Sequence, residues 1–256
     1  MTEAEWLACA DPKPMLRYLL GLRPDEGRVQ DIVSFPACRS SDRKLRLFAC
    51  ACYHRIRHVL PDLCVKAAID VAEQVADGII PAEELRRAEA IIRVPIGILE
   101  ERWRASQGME RIEIHPLHAA LSLDLVILWK EAQKAAYYAS SNAYLDFAAI
   151  ANPGASNHSL KYSASQRSEE RGQADLLRCM FGNIFRLTII NSAWLTFDVQ
   201  MIAAGAYEDR AFNRLPILAD ALQDAGCDNE NILSHLRGDS PHVRGCWALD
   251  LILGKS

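Results

Sequence analysis

The 256-residue chain has no apolar run long enough to cross a bilayer. Its longest, Leu117 to Trp129, is broken by Ser122 and Asp124 and falls short of the ~20 residues such a span needs. It has no large excess of charge of either sign. Lys and Arg number 29 against 33 Asp and Glu, and a net charge of -4 gives no general reason to expect nucleic acid or an anionic membrane as partner. The usual catalytic signatures are missing too: there is no Gly-x-Ser-x-Gly elbow, no Gly-x-Gly-x-x-Gly turn and no His-Glu-x-x-His pair. Two partial likenesses fail on context. Gly254-Lys255-Ser256 has Leu249 where a phosphate loop needs its first glycine, and Ser41-Asp42-Arg43-Lys44 has no Lys-Thr-Gly companion. Strand patterns never alternate with helical ones, which argues against an α/β architecture. Glu3 and Glu5 stand where a secretory signal would carry positive charge. The expectation is a soluble cytoplasmic protein with eight reduced cysteines.

What is present is helix. Thr2 with Glu5 forms a capping box, and Asp11-Pro12 places a cap and a first-turn proline ahead of the apolar face Met15, Leu16, Leu19 and Leu20. Leu22 to Ser40, with Pro24, Gly27 and Pro36, reads as a loop. From Ser41, residues Leu45, Phe48, Cys52, Ile56 and Val59 recur at three- and four-residue steps and predict a helix with one core-facing stripe, leaving Arg43, Lys44 and Arg57 in solvent. Leu63 to Ala76 and the stretch after Pro81 read as further helices. Leu117 to Ala151 reads as a long one whose alanines permit close approach of a neighbour.

Asn152 to Gly172, with its Pro-Gly pair, serines and charges, reads as a mobile loop between an N-terminal helical lobe, 1–151, and a C-terminal one, 173–256. Ile184 to Ile190 is the one extended stretch, too short and solitary to support a sheet. Ser192 is placed to cap a helix from Ala193. Tyr207 to Ala225, split by Pro216, Glu230 to Arg237 and Val243 to Leu253 complete an all-α chain, either a multi-helix array or two lobes.

Three constellations bear chemistry. Cys50, His54 and His58 share a helical stripe, but the crowding arginines oppose a cation there. Arg43, Arg46, Arg55 and Arg57 on that helix offer an anion or nucleic-acid contact instead. His115 and His118, around Pro116, read as turn residues. Near the C-terminus, Cys227, His235, His242 and Cys246 supply two thiols and two imidazoles, the donor set of a closed tetrahedral zinc site. The competing reading is a helical hairpin with packed cysteines and capping histidines.

Several phrases resemble a large paralogous family of uncharacterised planctomycete proteins: Met1 to Leu7, Ser41 to Cys50, Leu176-Leu177-Arg178 with Phe181-Gly182-Asn183, and Leu218 to Leu222 through His242 to Trp247. The resemblance covers roughly the first 80 and last 85 residues and implies no activity, substrate or cofactor. Relative to that family, Leu22 to Ser40 is an insertion, and Leu236 stands where a cysteine often follows the equivalent of His235. The expected function is therefore a non-catalytic interaction or regulatory module, with another protein as partner and no cofactor beyond zinc. The alternatives are an anion or nucleic-acid binder using the basic helix, and an enzyme pairing Cys246 with His242 or His235.

Overall fold

The structure, a computed structural model, describes residues 1–23, 38–56, 65–90, 132–151 and 160–255. It is all-α. In chain order the helices are α1 (Glu3–Ala8), α2 (Pro12–Leu19), α3 (Asp42–Ile56), α4 (Val65–Ala76), α5 (Ala132–Ala151), α6 (Leu160–Phe181), α7 (Phe197–Glu208), α8 (Leu215–Asp224), α9 (Glu230–Arg237) and α10 (Trp247–Leu253). A further helical stretch covers 83–90, and short 3-10 turns lie at Ser192–Trp194 and Phe212–Arg214. Among the described residues there is no strand, and no helix is long and apolar enough to cross a membrane.

The chain divides into two compact units, one of Cys9–Ala174 and the other of Met1–Ala8 with Asp175–Ser256. This division differs from the expected lobes of 1–151 and 173–256. The first eight residues belong with the C-terminal unit, and the division falls inside α6. The expected loop over 152–172 is also corrected: 152–159 lie outside the described residues, and 160–172 are the first turns of α6. Its charges are those of a helix with one wet side. Glu169 and Gln173, four residues apart, are 3% and 0% exposed and face inward, because each has a hydrogen-bonding partner there.

In the Cys9–Ala174 unit, Asp11 caps α2 by accepting from the Lys13 amide at 2.9 Å, and Met15, Leu16, Leu19 and Leu20 are all buried. Helix α3 packs against α4 and α5, and α2 packs against α5. Leu45, Phe48 and Cys52 are core as the periodicity predicts, whereas Val59 and the side chain of Ile56 lie outside the description. The helix is buried more fully than a single stripe: every residue from Leu45 to Tyr53 is inside. Close packing is possible because Ala132, Ala135, Ala136, Ala139 and Ala143 of α5 carry almost no side chain to hold helices apart. A polar chain runs through this core: Ser140 Oγ donates to Gln173 at 2.6 Å, Gln173 donates to Glu169 at 3.3 Å, and Arg55 donates to both oxygens of Glu169 at 2.9 and 3.1 Å. Gly172 makes room for it, since a Cβ there would sit about 2 Å from the Arg55 guanidinium.

In the other unit the capping box of α1 is formed reciprocally, Thr2 N donating to Glu5 at 2.7 Å and Glu5 N to Thr2 Oγ1 at 3.3 Å. Trp6 is fully buried and its indole N–H donates to the Gly182 carbonyl at 2.9 Å. The core is built from α7 to α10, with Val199 and Ala203, Leu215, Leu218 and Leu222, Ile232 and Leu236, and Leu249 and Ile252 all at or near zero exposure. Each such leucine or isoleucine contributes about 1.5 to 3 kcal/mol of burial. Two local expectations are adjusted. Asn191, not Ser192, caps the 3-10 turn, and Pro216 does not split a helix but occupies the first turn of α8, where its missing N–H costs nothing. Residues 187–190 are without regular structure and have no partner strand among the described residues.

Candidate metal centre

Four side chains from three places in the C-terminal unit meet at one point. Helix α6 presents Cys179 inward in its last turn and stops at Gly182, which adopts a left-handed φ of 62°. Only glycine fits there, because a Cβ would lie 3.1 Å from the ring of Trp247 as well as being strained. Asn229 starts α9 by accepting from the amides of Asn231 and Ile232. Ile232, Leu233 and Leu236 bury one face of α9 and leave His235 half-buried at its edge. The connection after Arg237 carries His242 back to the same place, and Cys246 immediately precedes α10.

His235 Nε2 lies 3.2 Å from Cys246 Sγ, and His242 Nδ1 lies 3.7 Å from Cys179 Sγ and 3.9 Å from Cys246 Sγ. All four candidate ligand atoms fall within 4.8 Å of one another. A regular tetrahedron with Zn–S of about 2.3 Å and Zn–N of about 2.0 to 2.1 Å has sulfur-to-nitrogen edges of about 3.5 Å and a sulfur-to-sulfur edge of about 3.8 Å. The three sulfur-to-nitrogen spacings bracket the first of those edges and the 4.8 Å limit accommodates the second, so the cluster can hold a metal ion. The two imidazoles meet edge to face at 4.9 Å, and the Trp247 ring lies 5.1 Å from His235 and limits its rotation. His242 Nε2 is buried without a hydrogen-bond partner.

The electrostatics distinguish Cys246 from the other thiols. Burial alone would push it up, but hydrogen bonds from Cys179, His235 and His242, with the charge of His235, outweigh burial and hold it well below the usual thiol range. At Cys52 and Cys227 burial dominates and the thiols are pushed up.

Three of the four expected ligands are thus brought together: His235, His242 and Cys246. The fourth is corrected. Cys227 is 3% exposed within the hydrophobic core and outside the cluster, and Cys179 takes its place. No spacing rule reveals Cys179, which is 63 residues from His242. The one local hint is its position in the final turn of a helix that stops sharply at Gly182.

The basic helix is corrected as well. Arg43, expected in solvent, donates to Asp77 at 3.1 Å with its side chain 11% exposed. Arg46 is buried, Arg55 is bound to Glu169, and Arg57 lies outside the described residues. The three described arginines, Arg43, Arg46 and Arg55, are directed into the unit and among the described residues form no exposed anion-binding face. Of the other candidate triad, Cys50 is buried, His54 faces Glu73 at 2.9 Å, and His58 is not described; nor are His115 and His118.

A groove of about 760 Å³ reaches the cluster, lined among others by Leu7, Phe181, Phe185, Ser234, His235 and Trp247. The fold and the site together define an all-α chain with a Cys2His2 ligand cluster at the junction of three helices. No protein-family profile, no curated protein and no solved structure matches the chain.

Proposed function

We propose that the protein is a non-catalytic helical interaction module whose discontinuous unit is held together by one zinc ion on Cys179, His235, His242 and Cys246. The observation that carries this reading is the convergence of two thiols and two imidazoles within 4.8 Å. Two thiolates and two neutral imidazoles suit a borderline-soft, redox-inert ion that takes tetrahedral geometry without strain. Because the protein itself supplies all four donors, no position is left for water or substrate, and the ion's role is to tie α6, α9 and α10 together.

The competing readings have less support. A catalytic Cys246 needs its sulfur open to an organic substrate, and this sulfur belongs to a residue with 0% exposure, behind His235, which itself lines the groove. An anion-binding surface needs free cations, and Arg43 and Arg55 are already paired with carboxylates. A role in protein contact is favoured by the exposed Leu187, Ile189, Phe197 and Met201 of the same unit, since apolar side chains in solvent are the usual substrate of association.

The test is elemental analysis of chain purified without added metal. Close to one zinc per chain is expected, lost in Cys246→Ser together with stability of the unit. Metal-free protein whose unfolding is indifferent to both zinc and chelator overturns the reading.

A further inference from the structure

This inference rests on the zinc reading and concerns how such a site is regulated. The unit of Met1–Ala8 and Asp175–Ser256 contains three cysteines, and the structure sets two of them apart from the third. All three belong to the same core, but Cys179 and Cys246 share the four-ligand cluster and Cys227 is not part of it. A zinc ion holds two thiolates about 3.8 Å apart. A disulfide needs about 2.05 Å. In this structure the two sulfurs lie within 4.8 Å of each other, one short movement from a bond, and a bound ion would be what keeps them apart. Cys179 and Cys246 are 1% and 0% exposed, so only a molecule as small as hydrogen peroxide, passing the one side chain that stands between the groove and the sulfur, could reach them. His235 is half-buried, lines the groove together with Trp247 and Ser234, and has its Nε2 3.2 Å from Cys246 Sγ.

We infer that the cluster is a peroxide-responsive zinc switch, in which hydrogen peroxide joins Cys179 to Cys246 and expels the ion. In the first step the Cys246 sulfur attacks one peroxide oxygen, the O–O bond breaks, and the departing hydroxide takes a proton to become water, leaving a sulfenic acid. In the second the Cys179 thiolate attacks that sulfur, the S–S bond forms, the S–O bond breaks, and the second hydroxide leaves as water. The two sulfurs give up two electrons to the peroxide. Two thiolates, one hydrogen peroxide and two protons become one disulfide and two waters. The two imidazoles that remain are too few to retain zinc, and it departs as the divalent ion. His235, a wall of the groove, then loses its anchor, so oxidation alters the groove as well as the metal content.

The experiment uses the full zinc-loaded chain, one equivalent of hydrogen peroxide, a chromogenic zinc chelator, thiol titration and a non-reducing peptide mass map. The expected result is release of one zinc with loss of two thiols, a peptide pair linked through Cys179 and Cys246, and zinc rebinding after dithiothreitol. Cys227→Ser should respond as the parent chain does. Zinc retained while other thiols oxidise, release accompanied by sulfinate at Cys246, or a disulfide to any other cysteine overturns the switch and leaves the zinc reading intact. A chain that neither carries nor takes up zinc overturns the zinc reading itself, before peroxide is added.

Discussion

Replacing Cys179 and Cys227 by serine, one at a time, separates the cluster that the fold assembles from the one that spacing along the chain suggests. Structural zinc sites bind with an apparent ~10 to 16 kcal/mol at neutral pH, so an equal share for each of four donors is about 2.5 to 4 kcal/mol. A serine hydroxyl does not ionise near neutrality and replaces none of it. Cys179→Ser should therefore weaken zinc binding by about two to three orders of magnitude. Cys227→Ser perturbs only the core. Its thiol is buried and pushed up by that burial, so a hydroxyl there should cost about 1 to 3 kcal/mol of stability while leaving zinc affinity within about twofold. Affinity is read by competition with a chromogenic chelator of known strength, stability by the denaturant midpoint of the zinc-loaded chain. Retention of tight zinc by Cys179→Ser, or its loss in Cys227→Ser, would refute the assignment of ligands.

Two further outcomes follow from the geometry. Arg55→Ala leaves Glu169 charged and buried without its bidentate partner; with Arg55 28% exposed, the loss should fall at about 3 kcal/mol, read from the denaturant midpoint, and Arg55→Lys should restore only part of it because an ammonium cannot engage both oxygens. The depressed Cys246 thiol makes the metal-free unit sensitive to pH. Its folded value lies below the unfolded one, so the folded unit binds fewer protons, and the stabilisation is fully present above the unfolded thiol value of about 8.5 and is lost as pH falls through the folded one. Unfolding midpoints of the metal-free chain should rise with pH toward that value and flatten in Cys246→Ser; a midpoint that falls over the same range contradicts the sign.

What could be read from the sequence is what local chemistry decides. The capping box at Thr2 and Glu5, the Asp11 cap and the bounds of Glu230–Arg237 depend on neighbours a few residues away, and each is found where the residues put it. Composition misleads at 160–172, because charge in a segment is evidence for water on one side and says nothing about the other. There Glu169 is held by Arg55, a residue 114 positions away. The same limit applies to the ligands. His235, His242 and Cys246 lie within one hairpin and can be grouped by eye, whereas Cys179 joins them only because Trp6, Gly182 and Trp247 fix the end of α6 beside α10. The arginines of α3 look like a surface because their partners, Asp77 and Glu169, are remote in the chain.

That the first eight residues belong with the last eighty or so has a consequence for the order of assembly. During synthesis α1 emerges well before α6, and the fully buried Trp6 lacks its partner carbonyl until Gly182 has been made. The intervening unit, Cys9 to Ala174, can finish folding in that interval. The cost of bringing the two distant ends together grows only logarithmically with the length between them, and a prefolded insert lowers it further by shortening the effective span. Capture of the proposed zinc would then come last, since Cys246 is the last of the four candidate ligands to leave the ribosome. A nascent chain truncated ahead of Gly182 would expose an orphaned tryptophan helix, a recognisable mark of an unfinished molecule.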